Sequence, residues 1–161
     1  SNINISEKLN PIIPFLFLVL VFIQIIIGAF VSGMDAGKIY NSWPFMGSTY
    51  FPDDNNYIDI FKLSAFSDPS LVQFIHRNLA YIIGISYLLI FYKIYKNKIY
   101  DLYNCVNLLG FFIILQIILG IITIIYGAQI YIASMHQLSS IFLVSSSVYL
   151  LYLNSNQQLS S

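Results

Sequence analysis

Apolar residues along the chain gather into four long runs, Ile12 to Val31, Val72 to Tyr92, Val106 to Ile125 and Ile130 to Leu153, separated by shorter polar or turn-rich stretches. A helix rises ~1.5 Å per residue and needs ~20 largely apolar residues to cross ~30 Å of hydrocarbon, so each run predicts one membrane-spanning helix. The runs lack the alternation of a lipid-facing barrel strand and are about twice the length one needs. Inside a bilayer every backbone polar group must find its partner within the protein, and four such helices achieve this as an antiparallel bundle. The expected fold is therefore all-α. It is one integral membrane domain, residues 1–161, with a long loop, residues 32–71, between the first two spans.

Composition agrees with that pattern and removes other classes. Of the 161 residues 58% are apolar and only 9% charged, where a soluble domain carries roughly a quarter charged residues. Seven basic residues against seven acidic ones leave no positive field for nucleic acid. The single cysteine, Cys105, excludes a disulfide framework and a multi-cysteine metal site within the chain. The sequence starts Ser1-Asn2-Ile3, without an initiator Met or a basic stretch and cleavage site ahead of the first apolar run. That argues against a signal peptide and for a trimmed start or a piece of a longer polypeptide.

Charge fixes the orientation. Lys93, Lys96 and Lys98 face one acid, Asp101, between the second and third runs, whereas the long loop holds Asp35, Asp53, Asp54, Asp59 and Asp68 against Lys38 and Lys62. The positive-inside rule places the lysine loop and both termini inside, and the acidic loop and the tight Tyr126-Gly127-Ala128-Gln129 turn outside. Helices approach closely in membranes at small residues, for which Gly28, Gly33, Gly84, Gly110, Gly120, Ser139, Ser140 and Ser145 to Ser147 are candidates. The plainer reading of these serines is a hydrogen bond to their own helix carbonyls.

Ionisable side chains within a span are costly, and only His76, Arg77 and His136 qualify. Both histidines enter from the outer face, so their imidazoles lie at similar depth, roughly 6–9 Å below the outer boundary at ~1.5 Å per residue. Two histidines level with each other on separate helices can grip a haem iron from both sides. Ala80 and Gly84 follow His76, and Ala133 and Ser140 flank His136, as small residues that clear a slot for a flat macrocycle. Gln73 and Gln137 are polar neighbours able to hydrogen-bond a ligand or a porphyrin edge, and the guanidinium fork of Arg77 suits a propionate. Other readings stay open: a proton or metal-ion site, or interfacial histidines beside an arginine that snorkels to headgroups. Two histidines are too few for zinc. In the long loop, Trp43, Phe45 and Met46 are expected on the membrane surface or capping the outer mouth, with Asn41 and Pro44 marking a defined turn. Pro52 to Asn56 suggests no chemistry, and Asn154 to Ser161 reads as disordered.

Several signatures coincide in order: Gly28-Ala29-Phe30-Val31-Ser32-Gly33, Asp35-Ala36-Gly37, Tyr40-Asn41-Ser42-Trp43-Pro44-Phe45-Met46, Val72-Gln73-Phe74-Ile75-His76-Arg77, Leu119-Gly120-Ile121-Ile122-Thr123 and His136-Gln137. Together they resemble haem A synthase, a cytochrome oxidase assembly enzyme of mitochondria and aerobic bacteria, over Gly28 to about Ser140. Members of that family are typically about twice this length, an eight-helix protein of two repeated four-helix halves, and this chain resembles the C-terminal half. The resemblance implies an oxidoreductase that converts the C8 methyl of haem O to the formyl of haem A by successive oxidations. It also implies a haem B cofactor in this half, with His76 and His136 as axial iron ligands; around them the residues themselves offer Arg77, Gln73 and Gln137, with Arg77 and Lys38 to neutralise propionates.

The substrate half of the family carries a Glu-x-x-His-Arg pattern, and three residues before His76 this chain has Gln73, which cannot exchange a proton usefully. The chain is therefore expected to be the cofactor half, with no catalytic residue of its own. Implied partners are the missing N-terminal half or its equivalent, a second copy of the chain as a homo-oligomer, the lipid bilayer, a haem O synthase as donor of the substrate haem O, and an unidentified electron acceptor; nucleic acid is excluded. The expected location is a bacterial cytoplasmic membrane, with the mitochondrial inner membrane as the alternative. The competing readings are a stand-alone four-helix membrane cytochrome b and a haem-free membrane assembly protein.

Overall fold

The computed structural model describes residues 9–159, with side chains to residue 156, and consists of four long helices joined by one long and two short connections. They are α1 (Ile12–Gly33), α2 (Pro69–Lys96), α3 (Tyr103–Ile125) and α4 (Ile130–Leu159). All four are long and apolar enough to cross a membrane. No strand occurs among the described residues, only an isolated bridge between Met46 and Thr49. The chain is an all-α membrane bundle.

Local chemistry sets the helix ends. Asp68 accepts from Leu71 N at 3.0 Å and Pro69 takes the first helical position, so α2 starts three residues ahead of its apolar run. At the other end of α3, Gly127 (φ 67°) and Ala128 (φ 55°) turn the chain left-handed, and Ala128 N donates to Thr123 O at 2.7 Å. The expectation of disorder from Asn154 onward is corrected up to Leu159, because α4 continues that far. Asn154 is fully buried and its Nδ2 donates to Leu9 O at 3.1 Å, tying α4 to the chain ahead of α1. Ser160 and Ser161 lie outside the described residues.

The apolar core lies toward the lysine loop. Phe17, Val21, Ile83, Ile90, Ile94, Val106, Leu109, Ile113, Leu143 and Leu150 form it, with Tyr95 stacked between Phe91 and Tyr103 at centroid distances of 4.4 and 4.1 Å. Gly110 is required here: a Cβ at that position would collide with the Tyr87 hydroxyl, through which α2 donates to Val106 O of α3 at 3.3 Å. Large residues such as Phe15, Phe22, Leu88, Phe111 and Ile114 stay exposed, as lipid-facing positions should. The α4 serines Ser139, Ser140, Ser145, Ser146 and Ser147 all donate to carbonyls three or four residues earlier, so the plainer reading of them holds.

The long loop is a folded cap. Short 3-10 turns span Ala36–Lys38, Tyr57–Phe61 and Leu63–Ser67, and Phe51, Ala65 and Leu71 pack as a small core of their own with Phe74 and Ile75. The stretch Pro52 to Asn56, which suggested no chemistry, ties this cap together: Tyr40 Oη donates to Asp53 at 2.6 Å and Ser70 Oγ to Asp54 at 2.6 Å. Burial works to raise the Asp54 carboxyl, but hydrogen bonds from Ser70, Asn55 and Tyr40 outweigh it and hold it below the usual carboxylate range. A depressed folded pKa contributes stability above the unfolded value, and that contribution is lost as pH falls through the folded one. Protection of the loop backbone against hydrogen exchange is thus expected to stay level from neutrality to about pH 4, the ordinary carboxylate range, and to fall below it. Asp54→Asn should flatten that acid limb; an unchanged profile would show that Asp54 does not hold the loop.

Candidate functional site

One face of α2 carries the loop. Gln73, Arg77 and Tyr81 are four residues apart and so lie in one row along the helix. Gln73 Nε2 donates to Tyr40 O at 3.1 Å; Arg77 Nη2 donates to Tyr40 O at 2.9 Å, and its Nη1 to Ser42 O at 2.9 Å and Phe45 O at 3.3 Å; Tyr81 Oη accepts from Trp43 Nε1 at 2.9 Å. Asn41 extends the seam across the bundle, donating to Gly37 O and to Ile124 O of α3 at 3.0 Å each. Met46 is fully buried, while Trp43 and Phe45 remain exposed.

These contacts alter the picture of two residues expected at the porphyrin. Arg77 is buried with both terminal nitrogens on loop carbonyls, and Gln73 is buried on the same row. Neighbouring residues on a helix project ~100° apart at 3.6 residues per turn, so adjacency of Arg77 to His76 in sequence does not by itself bring both to one ligand. Lys38 pairs with Asp35 at 2.7 Å on the surface. Gln137 is exposed, its Nε2 reaching Ser32 Oγ of α1 at 3.4 Å.

The histidines occupy the next face over, toward the neighbouring helices. His76 of α2 meets α1: Gln24 Nε2 donates to His76 O at 3.1 Å and lies 3.3 Å from His76 Nε2, and a Cβ on Gly28 would come 3.1 Å from His76 Cε1. His136 of α4 meets α3 in the same manner: Gln116 Nε2 donates to His136 O at 3.0 Å, and a Cβ on Gly120 would come 3.3 Å from His136 Cε1. Each ring is half-buried, with a buried Nδ1 that has no hydrogen-bond partner.

The two halves of the bundle repeat. His76 lies seven residues after the start of α2 and His136 six after the start of α4, while Gln24 and Gln116 each lie nine residues before the end of their helices. The segments are nearly the same word, Gln24-Ile25-Ile26-Ile27-Gly28 and Gln116-Ile117-Ile118-Leu119-Gly120. Sequence reasoning that looked only for ionisable groups in the spans passed over these glutamines, although the repeat was there to be read.

The donor set fits a porphyrin iron better than a bare ion. No group of three or more His, Cys, Asp or Glu side chains lies together among the described residues, and a bare metal needs about that many protein ligands. A porphyrin brings four nitrogens of its own and needs only axial ligands, which two imidazoles supply. The packing agrees. No residue of α3 beyond Ile113 is fully buried, and the large apolar core stops short of the histidine level.

Comparison with known proteins gives a consistent result. The family described as cytochrome oxidase assembly protein matches residues 3–148. A haem A synthase of Pelagibacter ubique is 45% identical over 154 residues, which cover 93% of this chain and 45% of that protein. The haem A synthases of Rickettsia prowazekii and Wolbachia pipientis wMel are 34% and 41% identical, over 94% and 84% of this chain and 45% and 37% of their own lengths. The chain spans less than half the length of these curated relatives. No solved structure matches.

Proposed function

Since the chain belongs to the cytochrome oxidase assembly protein family, whose similar members are haem A synthases, we propose that it is the haem-binding half of such an enzyme, with His76 and His136 as axial ligands of a haem B. The carrying observation is the repeated pair of imidazoles, seven residues into α2 and six into α4, each set against a glycine of the preceding helix. Held by His76 and His136, a haem would supply one-electron chemistry for the oxidation of haem O at the other half. The protein's part is to hold two neutral imidazoles on separate helices, each fixed at its backbone by a glutamine of the preceding helix and given room by a glycine one turn further along it.

The same reading leaves proton transfer to the absent half. Gln73, at the position where the resemblance implies a glutamate in the substrate half, is buried and donates to a loop carbonyl, a holding role that needs no ionisation. Catalysis thus requires the N-terminal half, supplied in the same polypeptide or by another chain, and an external electron acceptor. We place the protein in a bacterial cytoplasmic membrane, in keeping with its charge asymmetry and its bacterial relatives.

The decisive test is the visible spectrum, oxidised and dithionite-reduced, of the chain purified in mild detergent and supplied with haem. Sharp α and β bands of a low-spin b-type haem are expected at one haem per chain. A folded, helical preparation that stays colourless with excess haem would overturn the assignment.

A further inference from the structure

The two histidines are held alike by their backbones and differently at their rings. A primary amide has two hydrogens to place. Gln116 gives one to His136 O and one to Ser139 Oγ, three residues further along α4. Gln24 gives one to His76 O, but three residues beyond His76 stands Leu79, which accepts nothing. Its second hydrogen falls on His76 Nε2, at 3.3 Å.

An amide nitrogen can only donate, so this contact requires Nε2 of His76 to be the unprotonated, accepting nitrogen and puts the ring proton on Nδ1. That is the tautomer an Nε2 ligand needs. The amide therefore holds the ring ready for metal while occupying the same lone pair that the metal would use. His136 has no such competitor, since both amide hydrogens of Gln116 are committed elsewhere.

Resting on the axial-ligand reading above, we infer that Gln24 is a positioning residue that caps His76 Nε2, which makes His76 the displaceable axial ligand and His136 the firm one, the asymmetry being set by Leu79 against Ser139. His136 would offer a haem a free Nε2, whereas His76 would offer its own only after giving up the Gln24 hydrogen bond.

The test uses the haem-loaded chain and carbon monoxide on the reduced iron, with exogenous imidazole on the oxidised iron. Leu79→Ser gives the second amide hydrogen of Gln24 the acceptor that Gln116 already has, and should lower the affinity for both ligands about fivefold, the fold-change of one net neutral hydrogen bond. Gln24→Leu should do the same, and Ser139→Leu should raise it by a similar factor by freeing the Gln116 amide. Nitrogen-15 shifts of the haem-free chain give a readout independent of loading: His76 should show a fixed Nδ1-protonated tautomer that Gln24→Leu releases. Equal ligand affinities across the three variants, with the low-spin spectrum intact, would overturn the asymmetry and leave the ligand assignment standing. An unchanged spectrum in His76→Ala or His136→Ala would instead overturn the ligand assignment itself.

Discussion

His136→Ala is expected to lose the low-spin haem spectrum, and His76→Ala to retain haem in a high-spin form that binds carbon monoxide readily. Loss of a partner that merely orients a metal ligand costs about 10–100-fold in metal affinity, so loss of the ligand itself should exceed ~100-fold. The effect should be the more complete at His136, whose ring the glutamine of the preceding helix leaves free. Neither change should unfold the chain. The apolar core that holds the helices together lies toward the lysine loop, and neither imidazole belongs to it. Helical content by circular dichroism should therefore match the parent while the absorbance spectrum does not. If either variant keeps the parent spectrum, that histidine is structural and the paired-ligand assignment fails.

The contrast between the two histidines and Arg77 shows what an amino-acid sequence can and cannot carry for such a fold. Span length is a one-dimensional property, and counting apolar residues was enough to find α1 to α4, because the bilayer imposes the same requirement on every helix. An imidazole in such a run is equally conspicuous, and His76 and His136 stood out for their cost alone. Arg77 stood out for the same reason, but its direction did not follow from its position: one residue on from His76 it faces a different neighbour. The loop held still less in its pattern, since Arg77 and Gln73 grip the backbone carbonyls of Tyr40, Ser42 and Phe45, and a carbonyl is present at every residue. Gln24 and Gln116 were missed for the opposite reason. A neutral amide in a span raises no alarm, and only the repeated Gln-to-Gly word, matched to equal distances from two helix ends, gives it meaning.

Arg77→Met should release the outer loop from α2. Arg77 is 6% exposed, and removal of its guanidinium takes away the hydrogen bonds that Tyr40 O, Ser42 O and Phe45 O accept at 2.9, 2.9 and 3.3 Å, leaving Tyr40 O to Gln73 and Phe45 O to Ser42 Oγ and stranding Ser42 O. Hydrogen bonds from a charged donor contribute about 1.5–3 kcal/mol each, and even one and a half of them retained in the net would amount to about 3 kcal/mol, a shift of roughly a hundredfold toward the open loop. Trp43 is the chain's one tryptophan and donates to Tyr81 Oη at 2.9 Å, so its emission reports the loop directly and should move to longer wavelength on release. Lysine should not rescue, because a single ammonium on a flexible stem cannot reproduce a planar fork that serves three carbonyls at once. The haem spectrum separates the two roles for this residue. A mobile loop with an unchanged low-spin spectrum and midpoint potential identifies Arg77 as the clamp of the outer cap, whereas a fixed loop with a shifted potential would mean that its charge acts on the porphyrin carboxylates after all.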